Sequence, residues 1–172
     1  MSNIYLVGFM GAGKSSVGRL LARSLDRPFI DLDRHIEDTV GMPIRRIFAE
    51  QGEGAFRRYE REALIRTTDA EDAVVAAGGG AACDATNLEI MRSCGGRVVF
   101  LDVPWTVLAA RLGHDHSERP VFTTQDAARR LYEARRPCYE EAGWAVALTG
   151  GETPAQVVSR LLEMLSETPC AT

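Results

Sequence analysis

Gly8-Phe9-Met10-Gly11-Ala12-Gly13-Lys14-Ser15 follows the apolar run Ile4-Tyr5-Leu6-Val7 and leads into a segment whose apolar residues, Val17, Leu20, Leu21 and Leu25, recur at helical spacing. A strand, a glycine-rich G-x-x-x-x-G-K-[ST] loop and a helix in that order form a phosphate cradle. Gly8, Gly11 and Gly13 let the backbone turn tightly and aim its N–H groups inward, at a helix amino terminus where the dipole favours an anion. Lys14 then supplies a point charge to the β and γ phosphates of ATP, Ser15 offers a hydroxyl to Mg2+, and Ser16 reaches the α-phosphate. With Gly11, Ala12 and Gly13 these residues make up the expected nucleotide site. Lys14 is the only lysine in the chain, every other fixed side-chain cation being arginine, so its place in this loop is informative. The alternative is a glycine-rich turn that matches by chance, and the strand before it and the helix after it argue against that.

Working outward, short apolar runs predict further strands at Phe29 to Ile30, Ala73 to Ala77, Val98 to Leu101 and Trp144 to Leu148. Longer amphipathic stretches lie between them. Lys14 to Leu25 is one; Pro43 suits the first turn of another carrying Ile44, Ile47 and Phe48, and Glu53 to Thr67 continues it in the same register. Asp84 or Thr86 caps a helix through Met91, Thr124 caps one through Glu141, and Thr153-Pro154 opens the last. Pro137 is expected to bend or end the helix it sits in. Strands alternating with helices imply a single α/β domain over residues 1–172: a three-layer sandwich with a five-stranded, mostly parallel sheet and helices on both faces. The polar interruption at 113–123 is the natural lid, and the tail 166–172 is expected to fray.

Composition narrows the class. A chain of 172 residues with 45% hydrophobic and 26% charged residues is that of a globular protein. It has no apolar run near the ~20 residues that a membrane span requires. No signal-peptide pattern precedes Ile4, so a cytoplasmic location is expected. The net charge of −4, without a basic stripe, argues against a nucleic-acid partner, and we expect a monomer that meets only small molecules. Cys83, Cys94, Cys138 and Cys170 form no CxxC pair and read as reduced structural thiols, while His114 and His116 read as solvated rather than metal-bound.

In an open α/β sheet, ligands bind beyond the carboxyl ends of the strands, so residues that follow different strands become neighbours. Asp31-Leu32-Asp33 follows one strand and Gly78-Gly79-Gly80 another, and both are expected at the same crevice as the phosphate loop. Strand alternation puts Asp31 and Asp33 on one side, where one carboxylate can hold a Mg2+ shell through water and the other accept the proton of an attacking hydroxyl. Asp33 as a mere helix cap is the competing reading. Three glycines at a strand end suggest that something approaches the backbone closely, a sharp turn being the alternative. Arg57 and Arg58 leave their helix in different directions, so only one enters the site. Arg135-Arg136 and Arg119 are further candidates for gripping an anionic acceptor, because a guanidinium fork matches a carboxylate or phosphate.

Taken in order and with their intervals, GFMGAGKSS, DLD, FRRYE, GGG, ERP and ARRP resemble the shikimate kinase family across nearly the whole chain. The resemblance implies a fold of the P-loop NTPase type with a mobile lid, and ATP-dependent phosphorylation of shikimate to shikimate 3-phosphate. It implies that Asp33 binds the attacking hydroxyl and acts as base, with Asp31 near Mg2+. Arg57, Arg135 and the backbone of Gly78, Gly79 and Gly80 would hold shikimate. Arg119 would meet charge developing on the γ-phosphoryl group, Arg111 would lie along the adenine, and Glu60 would orient Arg57. Val121-Phe122 after Arg119-Pro120 departs from the usual leucine pair, and the loop Gly150 to Pro154 lacks a basic residue that some members carry.

Other classes fare less well. A regulatory GTPase reads guanine through N-K-x-D, which needs a second lysine. A silent nucleotide-binding module has no need of a carboxylate, a triple glycine and three arginines in this order. Gluconate or adenylylsulfate kinases are the nearest alternatives.

Overall fold

The computed structural model describes residues 2–113 and 124–167. Its sheet contains β1 (Ile4–Val7), β2 (Phe29–Asp31), β3 (Val74–Ala76), β4 (Arg97–Asp102) and β5 (Trp144–Ala147), in the spatial order β2-β3-β1-β4-β5. Every pairing is parallel, with Tyr5 set against Val75 on one side and Val98 on the other. All of β1 and β3 is buried, as expected of central parallel strands covered by helices on both faces. Polar groups are satisfied where β1 begins. Asn3 donates to the carbonyl of Thr67 at 2.7 Å and accepts from the Ala73 N–H at 2.8 Å, and Tyr5 shares a hydrogen bond with the Thr67 hydroxyl.

The helices are α1 (Lys14–Ser24), α2 (Leu32–Val40), α3 (Ile44–Thr67), α4 (Ala85–Arg92), α5 (Trp105–Gly113), α6 (Gln125–Ala142) and α7 (Pro154–Glu167), with a 3-10 turn at Ala81–Cys83 between β3 and α4. Asp84, not Thr86, caps α4, and Thr124 caps α6 by accepting from the Ala127 N–H at 3.2 Å. One expectation fails, and so does one of the two outcomes expected at Pro137. Residues 53–67 do not continue the register of the segment after Pro43, because Gly52 (φ 81°, ψ 172°) breaks α3 into two differently directed parts. Pro137 does not end α6, which runs on to Ala142. Tyr139 and Ala142 beyond it are buried, and Arg92 satisfies the carbonyls of Glu141 and Ala142, so tertiary contacts outweigh the lost helix bond. At the other end, α7 keeps Ser166 and Glu167 helical. The expected lid beyond Gly113, with Arg119, and the tail from 168 lie outside the described residues.

Candidate functional site

At the carboxyl edge of the sheet, β1 runs into the glycine loop. Gly8, Gly11 and Gly13 all have positive φ, 138°, 79° and 90°, so this loop conformation depends on glycine. Gly13 stands at the amino end of α1, and the Lys14 ammonium hydrogen-bonds the carbonyls of Gly8 (2.8 Å) and Phe9 (3.0 Å). Gly11, Gly13, Lys14, Ser15 and Ser16 line one wall of a cleft of about 710 Å3. Arg111 from α5 lines it too, donating to the Gly11 carbonyl at 2.9 Å. Ala12 does not: it is buried, and its N–H turns to the Phe9 carbonyl.

The opposite wall comes from β2, α3, β3 and α6. Asp31 and Asp33 both line the cleft, but not through strand alternation, because β2 ends at Asp31 and Asp33 lies in the first turn of α2. Asp31 is the residue that caps α2, accepting from the Arg34 N–H at 3.4 Å, which removes the reading of Asp33 as the cap. Asp33 instead faces Gly78: a Cβ placed there would stand 3.0 Å from Asp33 Oδ1 and 2.7 Å from Glu60 Oε1.

The triple glycine makes room for side chains. None of Gly78, Gly79 and Gly80 has positive φ. A Cβ on Gly80 would meet the Arg57 guanidinium at 2.8 Å and Arg135 Nη2 at 3.1 Å, so two cations from α3 and α6 converge on one stretch of bare backbone. Arg135 also donates to the Gly79 carbonyl, as does the Tyr139 hydroxyl. The neighbouring arginines turn elsewhere. Arg58 is exposed, and Arg136 pairs with Asp102 (3.0 Å) and Glu140 (2.7 Å).

Glu60 is the most constrained charge here. It is 1% exposed, and its Oε2 takes a 2.8 Å bond from Arg57. Its Oε1 has no hydrogen-bond partner. Burial raises its pKa, the Arg57 charge and hydrogen bond lower it, and the Asp33 charge raises it again, with a net upward result. Arg57 is partly desolvated, which lowers its pKa, but the carboxylates of Glu60 and Glu53 outweigh that and keep it firmly protonated.

Sequence reading missed part of the lining. Arg45, Ile44, Phe48 and Phe56 also face the cleft, the two phenylalanine rings 4.7 Å apart. Ile44 and Phe48 read as an ordinary apolar helix face, and only the break at Gly52, beyond which Phe56 packs against Phe48, makes them part of the lining.

Among the described residues, no group of three or more histidine, cysteine or acidic side chains is arranged to hold a metal. Ser15 and Asp31 do line the same cleft, and Mg2+ commonly takes only one or two protein groups beside phosphate oxygens and water.

A family model for shikimate kinase matches residues 10–166. A shikimate kinase of Thermosynechococcus vestitus is 43% identical over 172 residues, 98% of this chain and 91% of the relative. One from Pseudomonas syringae pv. tomato is 41% identical over 98% of this chain and 99% of its own. Among solved structures, shikimate kinase from Acinetobacter baumannii in complex with shikimate superposes with a TM-score of 0.89 at 34% identity, covering 97% of this chain and 94% of that one. A gluconokinase from Sinorhizobium meliloti 1021 reaches 0.59 at 21% identity over 96% of each chain, a likeness of fold alone.

Proposed function

We propose that this chain, which belongs to the shikimate kinase family, transfers the γ-phosphoryl group of ATP to a ring hydroxyl of shikimate, giving shikimate 3-phosphate and ADP. The observation that carries the reading is the meeting of the Arg57 and Arg135 guanidiniums over Gly80, across one cleft from the phosphate loop. One wall suits a polyphosphate and the other an organic anion. Two planar cations beside a backbone bare of side chains can take a carboxylate through paired hydrogen bonds.

In this reading the phosphates of ATP lie on the N–H groups of Gly11 and of Gly13 to Ser16, and Lys14 leaves the loop carbonyls to meet the β and γ oxygens. Ala12, whose N–H is bonded to the Phe9 carbonyl, only shapes the loop. Asp33 accepts the proton of the acceptor hydroxyl as its oxygen attacks the γ-phosphorus, and the β–γ bridging oxygen departs with ADP. Arg57 and Arg135 hold the carboxylate, Glu60 fixes the angle of Arg57, and Gly78, Gly79 and Gly80 let the ring approach. Arg111 flanks the adenine, and Arg119 meets charge on the transferring group. Ser15, and Asp31 through water, would hold Mg2+, which supplies charge neutralisation at the β and γ oxygens when bound. Because one chain furnishes every one of these groups, we propose a monomer; we place its action in the cytoplasm. No helix among the described residues is long and apolar enough to cross a membrane.

The test is coupled ADP release with shikimate, gluconate and adenylylsulfate as separate acceptors. Turnover with shikimate far above the other two is expected. Equal or greater turnover with either rival would overturn the assignment.

A further inference from the structure

The Gly79 carbonyl takes two donors from α6, the Tyr139 hydroxyl and, at 3.4 Å, Arg135 Nη1. Among the described residues, no backbone N–H bonds this carbonyl. Arg135 and Tyr139 are four positions apart on one helix, so they stand one above the other on the same face. They differ in freedom. Tyr139 is 1% exposed and its ring centre lies 5.2 Å from that of Phe100 on β4, so the core fixes the place of its hydroxyl. Arg135 lines the cleft on a long, flexible side chain, and its Nη1 sits at the outer limit of hydrogen-bond length from Gly79.

We propose that Tyr139 is a positioning residue for the acceptor: its hydroxyl satisfies the Gly79 carbonyl, which leaves Arg135 free to turn from the backbone to the acceptor's carboxylate. The role rests on the function proposed above, in which Arg135 meets that carboxylate. Without the hydroxyl, the guanidinium would be the carbonyl's remaining donor. The two would then draw together, because a bond from a charged donor is stronger than one from a neutral donor, and an acceptor left unpaired in a half-buried place is costly. Shikimate would have to break that bond before Arg135 could hold it. With Tyr139 in place, the carbonyl stays bonded when Arg135 departs, so the arginine reaches the acceptor at little cost. Burial raises the Tyr139 pKa above the ordinary phenol value, and the hydroxyl therefore keeps its proton near neutrality and remains a donor to a group that can only accept.

The experiment compares the full chain with Tyr139→Phe, Arg135→Ala and the double variant, reading kcat, the KM of each substrate, and Tm. Phenylalanine keeps the ring against Phe100 and removes only the donor. Tyr139→Phe should raise the shikimate KM several-fold while kcat and the ATP KM stay near the parent values, because Asp33 and the phosphate loop belong to other elements. In the Arg135→Ala background the same substitution should leave kcat/KM for shikimate unchanged, since no arginine remains to be tied down. An unchanged shikimate KM in Tyr139→Phe, with or without a lower Tm, would overturn the proposal. So would a loss of kcat/KM that is equal with and without Arg135, which would make Tyr139 a support of the fold alone, or a rise in both KM values together. If Arg135→Ala itself uses shikimate as well as the parent does, the acceptor site assigned above is wrong and the role of Tyr139 falls with it. If Arg135→Ala is impaired and Tyr139→Phe is not, only the role of Tyr139 fails.

Discussion

The phosphate loop and the acceptor wall meet at Gly79, where a Cβ would stand 3.6 Å from the Met10 N–H nitrogen and 3.9 Å from Arg135 Nη1, yet glycine serves them differently. In the loop, glycine supplies backbone angles: Gly13 has φ 90° and open space where its Cβ would be. On the acceptor wall it supplies room, with ordinary angles at Gly80 and two guanidiniums in the space. In the proposed function a phosphate is therefore held by main chain that adjacent residues shape together, and the acceptor by side chains that separate segments bring to a bare stretch of backbone. The first arrangement is written locally in sequence. The second exists only once the sheet has formed.

If the acceptor wall holds the chemistry and the loop holds the donor, the largest effect should come from Asp33. Asp33→Asn keeps shape and removes the proton acceptor, so kcat should fall ~10²-fold or more while ATP affinity, measured by equilibrium titration, stays near the parent value. A comparable loss of ATP affinity would erase the division between the two walls.

Next come the two arginines. Arg57→Ala and Arg135→Ala should each cost ~2–4 kcal/mol in kcat/KM for shikimate, and the double variant less than the sum, since the two share one ligand. Stability should separate them. Arg57→Ala strands the buried Glu60 carboxylate and should lower Tm, whereas Arg135 lies within bonding reach of the Gly79 carbonyl at 3.4 Å and its loss should leave Tm nearly unchanged. An acceptor analogue with the carboxylate reduced to an alcohol should react poorly and hardly notice either substitution. Should it react as well as shikimate, the arginines bind something else.

A smaller and more direct comparison sets Gly80→Ala against Gly13→Ala. The methyl at position 80 meets the mobile ends of Arg57 and Arg135, which can move aside, so Tm should hold while the shikimate KM rises about tenfold, or ~1.4 kcal/mol. The methyl at position 13 meets nothing, but its left-handed backbone is strained by ~1–2 kcal/mol, so Tm and ATP affinity should fall together. The reverse pattern would show that glycine serves space in the loop and angle on the wall.

This division also explains what the sequence made legible. The α/β sandwich and its five strands followed from alternation, and the phosphate loop from one contiguous motif, with Ala12 as the exception because its N–H satisfies Phe9 instead of facing the cleft. Asp33 and Arg57 do line the cleft, but strand alternation does not place Asp33 there, since the chain enters α2 one residue before it. Nothing local announced that Gly52 would break α3 or that residues past Pro137 would keep α6 intact, because neighbouring elements decide both.

The smallest effect is one of slope, and it sets the acceptor wall against the rim loop after β5. Glu60, buried, has its pKa raised, so the folded chain holds this proton more readily than the unfolded one. Glu152 is the opposite case. Its carboxylate accepts the N–H groups of Thr149 and Gly150, and these, the Thr149 N–H first, bring its pKa down to about 2. By linkage, a raised carboxyl contributes stability that is present below the unfolded value of 4.5 and lost as pH climbs through the folded value, while a depressed one contributes stability that is present above 4.5 and lost as pH falls toward about 2. The Tm of Glu60→Gln relative to the parent should therefore improve as pH rises above 4.5, whatever the offset caused by altering its bond to Arg57. The Tm of Glu152→Gln relative to the parent should be lowest near neutrality and recover as the solution is acidified below 4.5. Thermal unfolding of the three proteins across pH reads both slopes. Parallel curves for the two variants would mean that the wall and the rim loop impose the same electrostatic environment, and the contrast between a desolvated carboxyl and a backbone-bonded one would fail.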